Sequence, residues 1–149
     1  MFEEKKKVVG YTTGVYDLFH IGHLNLLRNA KGMCDTLIIG CSSDEVVKEM
    51  KNKLPVIPFN ERVEILEAIP YVDVVVEQGI DDYKDKMVAW EKYKFDILFV
   101  GSDWQGTDKW NKIEKDFKKI GVKVVYFPYT RTTSSSKINA ILDQYDDER

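Results

Sequence analysis

Five short, near-continuous apolar runs, separated by amphipathic stretches, constrain this 149-residue chain more than any other feature. They are "KVVGYT" (7–12), "TLIIGCS" (36–42), "VDVVVE" (72–77), "FDILFVG" (95–101) and "VKVVYF" (122–127). None shows the every-other-residue polarity of a strand with one wet face. They read instead as strands covered on both sides, as in a parallel sheet. The intervening stretches carry helical spacing. "GHLNLLRNAKG" places Leu24, Leu27 and Ala30 on one face and stops at Gly32, a candidate C-cap. "FNERVEILEAI" offers Asn60 as N-cap and Val63, Leu66 and Ile69 as an apolar face. "YKDKMVAWEKY", "KWNKIEKDFKKIG" and "SSSKINAILDQY" supply three further helices. No repeat or low-complexity linker interrupts the alternation. The expectation is one domain over 1–149: a doubly wound, Rossmann-like α/β fold, its five-stranded parallel sheet covered by helices on both faces. Such sheets bind ligands at the carboxyl ends of their strands, which directs attention to the loops there.

Composition narrows the function classes. Apolar residues make up 44% and charged residues 32%, as in an ordinary globular protein, and a net charge of −3 argues against a general nucleic-acid binder. "MFEEKKKVV" lacks the apolar stretch of a signal peptide and no run is long enough to span a bilayer, so no membrane insertion is expected. Cys34 and Cys41 are too few for a disulfide framework and read as small buried residues of a cytoplasmic protein.

The loop after the first strand, "GVYDLFHIGH", contains both histidines of the chain, His20 and His23, around Gly22. Gly14 and Gly22 let backbone approach a ligand, and a helix N-terminus with free N–H groups favours an anion. Beside it, two imidazoles can donate to oxygens where charge grows during phosphoryl or nucleotidyl transfer. Histidines one turn apart also suit zinc, but no third ligand of the right type lies nearby; a core histidine plus a turn cap is the plainer alternative. The last loop, "YFPYTRTTSSSKINAIL", runs through six hydroxyl residues (Thr130, Thr132–Ser136) and Arg131 into a helix. It is a second anion cradle, or an ordinary serine cap in a polar loop. Two such helix starts on one sheet edge suggest a polyphosphate between them. Lys48, Lys51 and Lys53 precede the Pro55–Pro58 segment in what reads as a mobile, phosphate-clamping loop, though a lysine run otherwise forms a solvated face. In "VGSDWQGTDKW", Gly101 permits close approach, Asp103 is a candidate acceptor for ribose or base, and Trp104 is a stacking wall; Trp104 as core and Asp103 as a cap fit equally well.

Together these elements resemble the cytidylyltransferase family of the nucleotidyltransferase superfamily. The signature is His20-Ile21-Gly22-His23 within "GVYDLFHIGH", an HxGH element. The similarity continues through "SSDE", the lysine segment, "ER" at 61–62, "YVD" at 71–73, "VGSDW" and the closing hydroxyl motif, and is greatest to the small bacterial glycerol-3-phosphate branch. The resemblance implies transfer of CMP from CTP to a phosphorylated alcohol, most simply glycerol-3-phosphate, with release of pyrophosphate. It implies catalytic roles for His20, His23 and Lys51. Nucleotide contacts would come from Val15, Tyr16, Gly22, His23, Gly101, Asp103, Trp104, Thr130, Arg131, Ser134 and Ser135. Asp17, Lys51, Lys53 and Arg62 would serve the substrate. It further implies Mg²⁺ carried on the CTP rather than in a protein cage, and a homodimer. Phosphocholine, phosphoethanolamine or another polyol phosphate are alternative acceptors, and an FAD-synthetase-like adenylyltransferase or a non-catalytic nucleotide-binding homologue are alternative roles. Three positions depart from the family pattern: Tyr129 and Pro70 stand where arginines are common, and Ser102 where aspartate is common.

Overall fold

The structure is a computed structural model that describes residues 6–130 and 132–147. Strands β1 (Val9–Gly14), β2 (Thr36–Ser42), β3 (Val74–Gln78), β4 (Ile97–Gly101) and β5 (Lys123–Phe127) form one sheet in the order β3-β2-β1-β4-β5. Every pairing is parallel. The order reverses between β1 and β4, so their carboxyl ends diverge there and leave a crevice.

Alternate residues of each strand serve two cores, which is why the strands read as continuously apolar. Ile97 and Phe99 of β4 join Leu37, Ile39 and Cys41 of β2 on one face, with Leu27 and Ala30 of α1 (Ile21–Lys31) and Leu66 of α3 (Phe59–Glu67) packed over them. Leu98 and Val100 join Tyr11 on the other face, beneath Ala89 of α5 (Lys86–Tyr93) and Trp110 and Phe117 of α6 (Asp108–Lys119). Burying a side chain of this size contributes ~1.5–3 kcal/mol. Both faces are therefore needed. No described helix is long and apolar enough to cross a membrane.

The elements differ from the sequence reading in instructive places. The lysine segment is not wholly a loop: Asp44–Lys51 is helix α2, capped by Ser43, whose Oγ accepts the Val46 N–H, and Lys48 and Lys51 lie in its last turn. Helix α3 begins at Phe59 after Pro58, so Asn60 lies inside its first turn and is not the cap. Proline there fixes the extended entry and leaves no side-chain cap. Gly32 is the C-cap of α1 as expected, but at φ −63° it ends the helix in a right-handed rather than a left-handed conformation. The "YKDKM" helix is two: α4 (Ile80–Lys84) and α5, broken at extended Asp85, whose carboxylate accepts the Met87 N–H. The final helix, α7, spans Ser135–Asp147.

Candidate active site

A cleft of about 560 Å³ opens over the carboxyl ends of β1 and β4. Its walls come from the β1–α1 loop, the last turn of α2, the starts of α5 and α6, the turn after β4, and the β5–α7 loop. Val15, Tyr16, Asp17, His20, Gly22, His23, Lys51, Gly101, Trp104, Thr130, Ser134 and Ser135 all line it. The sequence candidates thus converge although they are scattered over most of the chain.

The histidines close the N-terminus of α1 reciprocally. His20 is the N-cap, and its Nδ1 accepts the Gly22 N–H at 3.0 Å. Three residues on, His23 Nδ1 accepts the His20 N–H at 3.2 Å. This is a capping box built from imidazoles instead of Ser and Glu. It settles the tautomers by chemistry: an Nδ1 that accepts a hydrogen bond carries no proton, so each neutral ring bears its proton on Nε2. Neither Nε2 has a partner among the described residues. The rings stack with centroids 3.9 Å apart, and Tyr16 and Phe19 pack against His23 at 5.4 and 5.3 Å. Burial lowers the pKa of His20. Burial, with the neighbouring His20 and Lys51 outweighing Asp17, lowers that of His23 to about 4. Both are therefore neutral near pH 7 and act as Nε2–H donors.

Gly22 leaves room for the His20 ring: a Cβ at this position would lie 2.8 Å from His20 Cε1. Gly14 likewise faces the Tyr16 ring, at 2.9 Å, and Gly101 the Tyr129 ring, at 2.8–3.0 Å. Tyr16 and Leu18 take positive φ, 55° and 51°. Such backbone conformations cost free energy in L-residues and persist where the surroundings impose them.

Asp17 ties the loops together. Its carboxylate accepts the amide N–H groups of Val56 and Ile57 at 2.8 and 2.9 Å, and its carbonyl accepts from Ser135 Oγ at 2.6 Å. Asn25 of α1 donates to Thr130 Oγ1 at 3.0 Å, a second bond between the first and last loops. Ser134 Oγ accepts the Lys137 N–H and caps α7.

Several expected residues lie elsewhere. Arg62 does not line the cleft. It is fully buried and donates to the carbonyls of Val15, Ser42 and Ile57 and to the Asp44 carboxylate at 2.7 Å. Lys53 and Asp103 are exposed and outside the lining, and the cap of α6 is Thr107 rather than Asp103. Trp104 is 51% exposed, so it is not core. Arg131 lies outside the described residues. The sequence reading missed Tyr83, Lys86 and Lys109, which line the cleft together with Thr133 and Ser136 of the expected hydroxyl-rich loop. Lys86 and Lys109 left one usable trace, as cations at helix starts, where cations are disfavoured. Asp17 is the only carboxylate among the lining residues, and among the described residues no three His, Cys, Asp or Glu side chains gather as a metal site.

Comparison with known proteins adds four findings. The family described as cytidylyltransferase-like matches residues 11–141. A glycerol-3-phosphate cytidylyltransferase of Staphylococcus aureus is 38% identical, over 89% of this chain and 92% of its own length. An FAD synthase of Pyrococcus abyssi is 34% identical, over 87% of this chain and 86% of its own. Among solved structures, a lipopolysaccharide core biosynthesis protein from Thermoplasma volcanium superposes with a TM-score of 0.68 at 23% identity, covering 86% of this chain and all of that one, a likeness of fold.

Proposed function

The chain belongs to the cytidylyltransferase-like family and is an enzyme that transfers a nucleotide, and from that premise we propose that it transfers CMP from CTP to a phosphorylated alcohol, with glycerol-3-phosphate the first acceptor to test. The observation that carries this reading is the reciprocal histidine cap. It presents two fixed Nε2–H donors at a helix N-terminus, opposite the hydroxyl-rich start of α7.

In this reading the triphosphate lies between the two helix starts. An acceptor phosphate oxygen attacks the α-phosphorus in line, the bond to the bridging oxygen breaks, and pyrophosphate leaves. A phosphate monoester is largely ionised near neutral pH, so no strong general base is required. What the protein supplies is orientation and charge stabilisation. His20 and His23 donate to oxygens on and beside the α-phosphorus, and Lys51 offsets the negative charge of the crowded five-coordinate phosphorus. Ser134, Ser135 and Thr130 hold the outer phosphates. Trp104 and Tyr129 flank the base near Gly101. Mg²⁺ would come in with the triphosphate and neutralise phosphate charge there, because Asp17, the one carboxylate lining the cleft, is engaged by two amides.

The similarity to FAD synthases favours a second reading, adenylyl transfer from ATP to FMN. One assay separates them: pyrophosphate release with CTP or ATP, each against glycerol-3-phosphate, phosphocholine, phosphoethanolamine and FMN. Turnover of CTP with glycerol-3-phosphate supports the first reading. Turnover confined to ATP and FMN replaces it with the second.

A further inference from the structure

Among the described residues, two buried side-chain atoms have no hydrogen-bond partner: the Tyr11 hydroxyl and Asp82 Oδ2. Leaving a buried polar atom unpaired costs free energy, and more when it carries charge. The fold brings these two together. Tyr11 lies on β1, the central strand, and its ring stacks on Tyr93 and Phe95 with centroids 5.4 and 4.8 Å away. Its hydroxyl reaches sideways across β2. A Cβ at Gly40 would lie 2.5 Å from that oxygen, so the missing side chain there makes its room. Beyond β2 comes β3, and α4 starts one residue after β3 ends. Asp82, in the middle of α4, is buried beneath it.

Chemistry selects what can join them. Burial, then the neighbouring Tyr93 and the Asp82 charge, raise the pKa of Tyr11, so its hydroxyl keeps its proton and is a donor. Asp82 already has a cation, because Lys92 Nζ donates to its Oδ1 at 2.7 Å. A metal ion would add charge to a neutralised pair and would face a protonated phenol. The occupant must accept from one atom and donate to the other. A water molecule does both, and two to four polar partners are enough to hold one.

We propose that Tyr11 and Asp82 hold one buried water, which accepts from the Tyr11 hydroxyl and donates to Asp82 Oδ2, and that this bridge ties α4 to the centre of the sheet. Helix α4 needs such a tie: it has five residues and no side-chain cap, too short to support itself. Tyr83 and Lys86, on either side of the break at Asp85, both line the cleft. The bridge therefore fixes one wall of the cleft from inside the core. Asp82 also acts on that wall directly, since its charge opposes the burial and the Lys109 repulsion that lower the pKa of Lys86 to about 8. The water site itself does not depend on which nucleotide is transferred.

A crystal structure that resolves ordered water tests the site. Expected is a single water within hydrogen-bond distance of both Tyr11 Oη and Asp82 Oδ2; a direct bond between the two, an ion, or nothing between them overturns the proposal. Hydrogen exchange of Y11F, which keeps the stacked ring, tests the tie. The amides of Tyr83 and Asp85, which donate to the Gly79 and Asp81 carbonyls, should exchange about tenfold faster, while those of β1 and β4 keep their rates. D82N should speed the same two amides, and Y11F/D82N should do so no more than the larger single change, because either substitution breaks one bridge. Unchanged exchange in Y11F, or additive effects in the double variant, overturns the tie. Under the nucleotide-transfer reading, Y11F should also raise the KM of at least one substrate about threefold or more with kcat within about twofold. Kinetics identical to the parent would remove the bridge from the cleft. If no substrate is turned over, that reading fails separately, and the crystal and exchange results still decide the bridge.

Discussion

At Gly22 the demands of the helix and those of the neighbouring His20 ring pull in opposite directions. The backbone of Gly22 lies in α1 with no positive φ, so alanine is conformationally welcome there and gains ~1 kcal/mol of helix propensity. Its Cβ would nonetheless press on the His20 ring, at 2.8 Å from Cε1 and 3.0 Å from Nδ1. G22A should therefore leave Tm unchanged or raised while kcat falls at least tenfold. Calorimetry beside the turnover assay checks it; a parallel loss of both would make Gly22 a folding residue. Arg62 is the opposite case. It is fully buried and bonded to three carbonyls and Asp44, so R62A strands several acceptors and should cost ~3 kcal/mol in urea unfolding. R62K should not rescue it, because an ammonium cannot reproduce the planar fork. The sequence showed that a histidine pair flanks a glycine at a helix start. It did not show that the glycine accommodates a ring, nor that Arg62 faces inward, since both depend on neighbours distant in the chain.

At the scale of elements, the site is an assembly of loops that Asp17 holds in register. The segment after α2 carries Leu54 and Val56, both more than half exposed, and has little apolar burial of its own to fix it. Its anchors are the pair of amide bonds from Val56 and Ile57 to the Asp17 carboxylate and the bond from Arg62 Nε to the Ile57 carbonyl. Charge-assisted bonds of this kind contribute ~1.5–3 kcal/mol each. D17A should raise amide hydrogen exchange at Val56 and Ile57 by about tenfold or more, while amides of β1 and β2 stay protected. It should also reduce turnover, because Lys51 at the end of α2 loses the frame that keeps it at the cleft. Unchanged exchange would show that the segment is held by other means. The five strands and the order of loops around the cleft were legible because each strand buries both faces and leaves an unbroken apolar run. Helix α2 was not, since only Val46 and Val47 of its residues are buried and its remainder reads as a charged surface. The break at Asp85 was hidden for a related reason: the helical spacing runs on across a residue whose carboxylate caps the next helix.

For the whole molecule, the histidine pair couples the chemistry of the cleft to global stability. His23 titrates near pH 4 in the folded protein, against an ordinary value of 6.5. As pH falls below 6.5 the unfolded chain takes up a proton that the folded protein refuses, so stability drops through the window from 6.5 to about 4 and is unaffected by this group above it. At pH 4.5 the difference amounts to about 2.5 kcal/mol for His23 alone, at 1.36 kcal/mol per unit. Burial shifts His20 in the same direction. Protonation also converts Nδ1 from acceptor to donor, so each proton breaks one of the bonds that cap α1. Acid should thus loosen the start of α1 and the cleft in one step. H23Q isolates the effect, because glutamine at this position still accepts the His20 N–H in a capping box but does not titrate. Urea unfolding of both proteins at pH 7 and pH 4.5 should show the parent losing about 2.5 kcal/mol more than H23Q between the two. Equal losses would mean that the imidazole of His23 is accessible to protons in the folded protein, and that its neutrality is not enforced by the rings around it.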